Sequence, residues 1–428
     1  NANFYLNGGY VYDGRYLLDV NLRSDGTSVF GANKRFSTTW SVGLAWNVHR
    51  EKFMKDKASF INVLKLRGSV GNPGNQNFSS YSAITTYYFN NWMLNNFGTG
   101  VLVSKFGDPN LAWQRTLDKN IGINLSMFSN RFHVTVDFYH KRTDPLIADI
   151  GIPVSMGVEK RRTNIGVQVD KGVNGTIRYA ILYKPQESIN YTMSVNFRYG
   201  TAFYKNIGRS LNAYNQENIS KNLTRYYDGG SPTALWAVRS RGIDPATGQE
   251  IFVKKDGTLT YTFDYKDEVE VGDSRPTLEG VWGNTFYYKG WSASLQLRYS
   301  FGADVFNSTL FNKVENISSR SITTNQDRRA LYNRWKKPGD KAKFKSISLT
   351  ESTPMSSRFV MKENYLSIES VRLGYQFDSK WLKKALRISS LNINMYMNSI
   401  ARFSTLEDER GLYYPFARSI SFSLGAIL

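Results

Sequence analysis

The chain has 428 residues, no cysteine, and 55 Lys+Arg against 35 Asp+Glu, a formal net charge of +20. The missing thiols exclude a disulfide scaffold and thiolate chemistry, and no run of about 18 apolar residues exists to make a transmembrane helix. A basic balance raises nucleic acid or anionic lipid as partners, but Lys and Arg are spread over turns and loops without a groove-reading helix or RNA-binding signature, so no nucleic acid is expected.

From the N-terminus onward the recurring unit is strict alternation. "TWSVGLAWNV" sets Trp40, Val42, Leu44, Trp46 and Val48 on one face. "RFHVTVDFY" does the same with Phe132, Val134, Val136 and Phe138. "YTMSVNFRY" places Tyr191, Met193, Val195, Phe197 and Tyr199 opposite Thr192, Ser194, Asn196 and Arg198. "WSASLQLRYSF" alternates Trp291, Ala293, Leu295, Leu297, Tyr299 and Phe301 with Ser, Gln and Arg. "LNINMYMN" and "SISFSLGAIL" close the series. About thirteen such segments occur and helical periodicity is almost absent, so the chain is all-β.

The connections separate a soluble sandwich from a transmembrane antiparallel β-barrel. Asp13-Gly14, Ser129-Asn130, Pro185 to Ser188 and Lys289-Gly290 read as tight turns. They alternate with long polar, aromatic-rich connections near 72–118, 143–167, 205–277, 302–363 and 399–417. Such loops are uncommon in compact soluble domains, whereas short turns at one end and long loops at the other are the layout of outer-membrane barrels. The polar face is Ser, Thr, Asn, Gln and Gly with an occasional Arg, as expected for a wet lumen. The apolar face, with Trp and Tyr near strand ends, suits lipid.

Chemical motifs are scarce. In "GIDPATGQEIF" Asp244, Thr247 and Glu250 carry oxygen, yet their spacing is not that of an EF-hand, and Asp-Pro with Thr-Gly reads as a surface hairpin. "GNPGN" (Gly71 to Asn75) is a turn at a strand end. His49, His133 and His140 lie apart, the last two on opposite faces of one strand by parity. No Gly-x-Ser-x-Gly elbow appears. The expectation is no enzyme, no metal and no cofactor.

Several stretches together carry a family resemblance. "LRSDGTSVFGANKRFSTTWSVGLAWNV" (Leu22 to Val48), "LKLRGSVGNPGN" (Leu64 to Asn75) and "DPNLAWQRTLDKNIGIN" (Asp108 to Asn124) come first. "RGIDPATGQEIF" (Arg241 to Phe252), "VGDSRPTLEGVWGNTFYYKGW" (Val271 to Trp291), "RWKKPGD" (Arg334 to Asp340) and "SSRFVMKENYLSIESVRLGYQF" (Ser356 to Phe377) follow in order. The chain resembles the SusC/RagA family of TonB-dependent outer-membrane transporters of the Bacteroidetes. That resemblance implies a barrel of about 22 strands, plugged by an N-terminal domain and capped by a SusD-like surface lipoprotein. It also implies TonB pulling on a box ahead of the plug, and import of oligosaccharides or peptides.

The TonB box, the plug and the first strands have no counterpart here, the last residue is Leu428, and "VDKGVNGTI" (Val169 to Ile177) fits its family block loosely. An odd count of about thirteen strands, ending in the periplasm, starts outside, whereas complete single-chain barrels keep an even count. Residues 1–428 are therefore expected to be the C-terminal portion of such a barrel, with TonB acting through an N-terminal region not in this chain.

For binding, the loop aromatics Tyr87, Tyr88, Trp92, Tyr226, Tyr227 and Trp236 are candidates, since sugar rings stack on such faces and peptides pack against them. The plainer reading is that they hold the loops together or meet the lipoprotein. Arg198 and Arg298, at lumen-facing parity in what read as neighbouring strands, could meet an anionic solute or a plug carboxylate. "KWLKK" (Lys380 to Lys384) reads as a turn. "NRWKKPGDKAKFK" (Asn333 to Lys345) reads as an outer loop with lipopolysaccharide phosphates as neighbours. Active import is the leading expectation. The alternatives are a SusC-like barrel that scaffolds an outer-membrane complex without transport, and a soluble carbohydrate-binding sandwich.

Overall fold

The computed structural model describes residues 2–26, 36–55, 60–75, 84–95, 98–317, 323–349, 351–378, 383–384, 387–407 and 418–427. Most of the KWLKK stretch therefore lies outside the described residues. Thirteen strands form one sheet in sequence order: β1 (Ala2–Tyr12), β2 (Tyr16–Gly26), β3 (Phe36–Asn47), β4 (Ile61–Asn72), β5 (Gln114–Met127), β6 (Phe132–Thr143), β7 (Val167–Lys184), β8 (Ile189–Lys205), β9 (Leu278–Tyr288), β10 (Trp291–Phe306), β11 (Val360–Phe377), β12 (Ser390–Ser404) and β13 (Ile420–Ile427). Every neighbour is antiparallel, and the short strand Gly74–Asn75 adds beside β5. This is the all-β barrel wall that the alternation implies.

Tight turns of the kind read from the sequence join β1 to β2, β5 to β6, β7 to β8 and β9 to β10 at one end. Asp13 (φ 51°) and Gly14 (φ 62°) both take the left-handed backbone that a two-residue hairpin needs. Lys289 and Gly290 do the same, at φ 43° and 89°. The long connections all emerge at the other end.

Residues paired across antiparallel strands share a face. Leu66, Ile123, Val136, Gly175 and Phe197 make one continuous row from β4 to β8, which Gly280, Tyr299, Leu366 and Phe403 extend to β12. This outer face leaves large side chains such as Leu44, Ile121 and Leu424 exposed, because its solvent is lipid. Near the tight turns it carries aromatics in contact, Tyr12 with Tyr16, Tyr16 with Trp46, and Trp291 with Tyr375, as an interfacial girdle requires. Row spacing tolerates glycine where a neighbour's ring lies across it: Phe197 covers Gly175 and Tyr299 covers Gly280.

Two differences from the sequence reading follow from local irregularity. β10, β11 and β12 run several residues further into the segments read as loops, because β-bulges shift register near Leu297, between Ser300 and Ala303, and between Ile368 and Ser370, which interrupts alternation. The long connections are also not plain loops. They hold a hairpin, Thr86–Asn95 with Gly98–Lys105, a second, Leu146–Gly151 with Lys160–Ile165, and a small sheet of Ala234–Ile243, Glu250–Val253, Leu259–Thr260 and Glu268–Asp273. The fully buried apolar residues gather in and beside these connections: Leu111, Trp113, Ala237, Val238, Val314 and Phe359. Among the described residues the dry core belongs mainly to these connections, reaching into the wall only at the adjoining strand ends, as at Val167, Ala202 and Ala303.

Candidate functional site

The inner face is the first part of the site. Asp137, Asn174, Arg198, Glu279, Ser300 and Tyr365 follow one another along a single row from β6 to β11. Arg198 and Arg298 do face inward together, but β9 stands between their strands, so they are next-but-one rather than adjacent. Both line a cavity of 440 Å³ with Glu279, Thr176, Asn196 and Tyr365. Neither arginine is left without an acid. Arg198 meets Glu279 at 3.4 Å and Arg298 meets Glu369 at 3.3 Å, while Arg67–Asp137 and Arg402–Glu363 close to 2.6 Å. The inner face is thus more charged than its Ser/Thr/Asn-rich reading, and largely balanced pair by pair.

Glycine makes one of these pairs possible. Gly122 lies between Arg67 and Asp137 in the row, and a Cβ there would sit 2.6 Å from Asp137 Oδ1 and 2.8 Å from Arg67 Nε. Only an empty position lets the pair bridge across a whole strand. A second cavity of 660 Å³ lies on the same face over β1 to β5, lined by Tyr5, Asn21, Arg23, Arg67, Asp118 and Asn120.

The loop aromatics divide into two groups. Tyr226, Tyr227 and Trp236 come together: Tyr227 meets Trp236 at 4.7 Å, and Tyr226 meets Tyr204 and Tyr214 at 5.7 and 5.3 Å. Burial pushes the Tyr226 phenol above the ordinary tyrosine value, with Tyr214 adding to the effect. Tyr87, Tyr88 and Trp92 belong instead to the separate Thr86–Lys105 hairpin, with Trp92 96% exposed. Tyr88 lines a cavity of 590 Å³ with Lys105, Asp149, Lys160 and Arg162.

Sequence reasoning missed a buried ionic clasp between the connections 206–277 and 307–359. Arg358 Nη2 donates to Glu250 Oε2 at 2.9 Å and to Glu315 Oε1 at 2.6 Å. Ser356 donates to Glu250 at 2.5 Å and Thr353 to Glu315 at 3.0 Å. Burial alone would lower the Arg358 pKa, but Glu315 and Glu250 outweigh it and hold the guanidinium above the ordinary arginine value. Burial pushes the nearby Lys345 ammonium down, opposed by Glu315. A ring contact reinforces the clasp: Trp335 Nε1 donates to the Pro245 carbonyl at 2.8 Å, and its indole covers Gly248. Arg358 lies 43 residues from Glu315 and 108 from Glu250, and no local pattern announces either partner.

The remaining motifs are structural. Asp244 accepts from Ala246 N, Thr247 Oγ1 and Tyr261 Oη at 3.0, 2.8 and 2.8 Å, which close the hairpin and hold its carboxyl below the ordinary range. His49 lies against the Leu64 carbonyl and His133 against the Asn130 carbonyl, far apart. Among the described residues no group of three or more His, Asp or Glu is arranged to hold a metal.

A family model described as TonB dependent receptor-like, beta-barrel matches residues 1–396. A TonB-dependent receptor of Formosa agariphila is 27% identical over 95% of the chain and 43% of its own length. The TonB-dependent receptor SusC of Bacteroides thetaiotaomicron is 24% identical over 97% of the chain and 42% of its own length. The chain therefore spans less than half the length of these curated relatives. Among solved structures, the RagAB peptide transporter superposes with a TM-score of 0.83 at 21% identity, over 94% of this chain and 44% of that one, a likeness of fold. With its alternating wall, its two-ended connections and this match, the chain belongs to the TonB-dependent receptor-like β-barrel family of the outer membrane and is SusC/RagA-like within it.

Proposed function

We propose that the chain is the barrel wall of a TonB-dependent importer that takes up oligosaccharides or peptides with a SusD-like surface lipoprotein. The observation that carries this reading is the inner face, a continuous run of polar and paired ionic side chains from β4 to β12 opposite a face of exposed apolar ones. A wall that is wet inside and greasy outside encloses a route for polar solutes. The similarity to a protein named SusC supports the importer reading, and the similarity to one described as a peptide transporter supports the peptide class. No step on the substrate needs chemistry: solute is held by aromatic and polar groups near the loops and released inward when the lumen opens.

The test is uptake of fluorescent oligosaccharide and peptide pools by cells with and without the gene, each with and without TonB. Uptake of one pool lost equally in both lesions supports import. Uptake that persists in the gene deletion, while other outer-membrane proteins vanish from the membrane, overturns it and leaves the scaffold.

A further inference from the structure

We infer that the segment Arg328–Leu349 binds a phosphorylated amphiphile of the outer leaflet, its lysines taking the phosphate groups and its exposed apolar residues the hydrocarbon. From Arg328 to Lys345 the only acid is Asp340, and it is already used inside the turn, accepting the backbone N–H groups of Lys336 and Lys337 at 3.0 Å each. Lys336, Lys337, Lys341 and Lys343 are exposed and form no ion pair among the described residues.

Charged loops usually present their lysines on mobile backbone; this one is fastened. Lys343 N and Phe344 N donate to the Asn333 carbonyl at 2.8 and 3.1 Å, and Trp335 N donates to Phe344 O at 3.1 Å. The Arg334 guanidinium is buried and donates to the carbonyls of Ala330, Lys345 and Val314. Gly339 N reaches across to the Pro245 carbonyl at 2.8 Å. The backbone that carries the four lysines is therefore already ordered, so binding is spared the cost of ordering the loop.

The choice of an amphiphile over a soluble polyanion rests on what flanks the turn. Leu331 and Tyr332 lead into one arm and Ile347 follows the other, and they are 64%, 54% and 58% exposed. Charge alone would satisfy a soluble polyanion, whereas a basic turn flanked by exposed aliphatic and aromatic groups matches an anionic lipid surface. The connection between β10 and β11 lies at the long-loop end, the outward end of outer-membrane barrels.

The test uses the full-length protein in detergent and native mass spectrometry with bisphosphorylated lipid A, dephosphorylated lipid A and dextran sulfate as probes. Wild type is expected to retain the bisphosphorylated lipid, less so as salt rises. K336Q/K337Q/K341Q/K343Q is expected to lose about tenfold or more in affinity, with an unchanged protease pattern because Arg334 and Trp335 are untouched. L331S/I347S should weaken both lipids and leave dextran sulfate alone. Retention unchanged in the lysine variant overturns the proposal. So does equal binding of dephosphorylated lipid, or dextran sulfate competing fully against a lipid whose binding L331S/I347S does not weaken. Import enters neither arm.

Discussion

Arginine meets carboxylate in two regions of this molecule, and the surroundings set different outcomes. On the inner wall the Arg198–Glu279 and Arg298–Glu369 pairs are about half open to water: the Arg198 and Glu279 side chains are 56% and 41% exposed. In the loop clasp, Arg358 is 11% exposed and Glu315 fully covered. A water-facing pair gains little from forming and loses little on breaking, while a buried charge that loses its partner is stranded. These two open pairs are free to exchange partners with water or solute. The clasp is built to keep the connections 206–277 and 307–359 in one shape.

The sharpest break in that comparison is Arg358→Met. Stranding Glu250 and Glu315 should cost the loop block about 3–5 kcal/mol, read as amide exchange and new protease cuts in 206–277 and 307–359. The thirteen strands should keep their heat resistance on gels. Equal protection in wild type and variant would show that the clasp holds nothing.

Next in size is Gly122→Ala, which drives a methyl group into the Arg67–Asp137 pair and should cost about 1–3 kcal/mol by overpacking. Gly8→Ala, where nothing lies within 4 Å, is the control and should leave thermal unfolding in place. Arg198→Gln and Arg298→Gln should each cost under about 1 kcal/mol, since solvent screens both pairs. A loss of stability as large as that of Arg358→Met would sink the contrast between wall and clasp.

The smallest expected effect is acid sensitivity of the loop block. Asp244 is held below the ordinary range mainly by Ala246 N and Thr247, and Asp327 by its hydrogen bonds to Arg329. A carboxyl with a depressed folded pKa contributes stability that is complete above its unfolded value and is lost as pH falls through the folded one. Loop protection should hold from neutral pH to the ordinary Asp range and decline below it, measured by amide exchange across that interval. A decline beginning near neutral pH would assign the sensitivity to other groups.

Much of the wall was legible in the sequence because alternation is a local signal. Trp40, Val42 and Leu44, or Tyr191, Met193 and Val195, declare their face without reference to any partner. Turn chemistry was equally local at Asp13-Gly14 and Lys289-Gly290. What could not be read was pairing at distance. Parity put Arg198 and Arg298 on the inner face but not Glu279 and Glu369 beside them, since register is set by neighbouring strands and shifted by bulges near Leu297 and Ile368. The loop sheets were hidden for a related reason: Glu268–Asp273 is short, and Ala234–Ile243 is bulged against both of its partners, so period two never builds up. Glu250 reads as part of a surface turn because its partner, Arg358, comes 108 residues later.

That separation also bears on how the molecule assembles. Glu250 is made well before Arg358, and the hairpin of β9 and β10 lies between them in sequence. Closing so large a chain loop is entropically unfavourable until the intervening strands have zipped into the sheet. The buried acid must therefore wait in water while both strands insert, and the outward cap sets in a late, concerted step once β11 begins to form. A folding time course should show the wall protected first and Glu250's surroundings last, so that a barrel stalled before β11 carries an unfinished mouth.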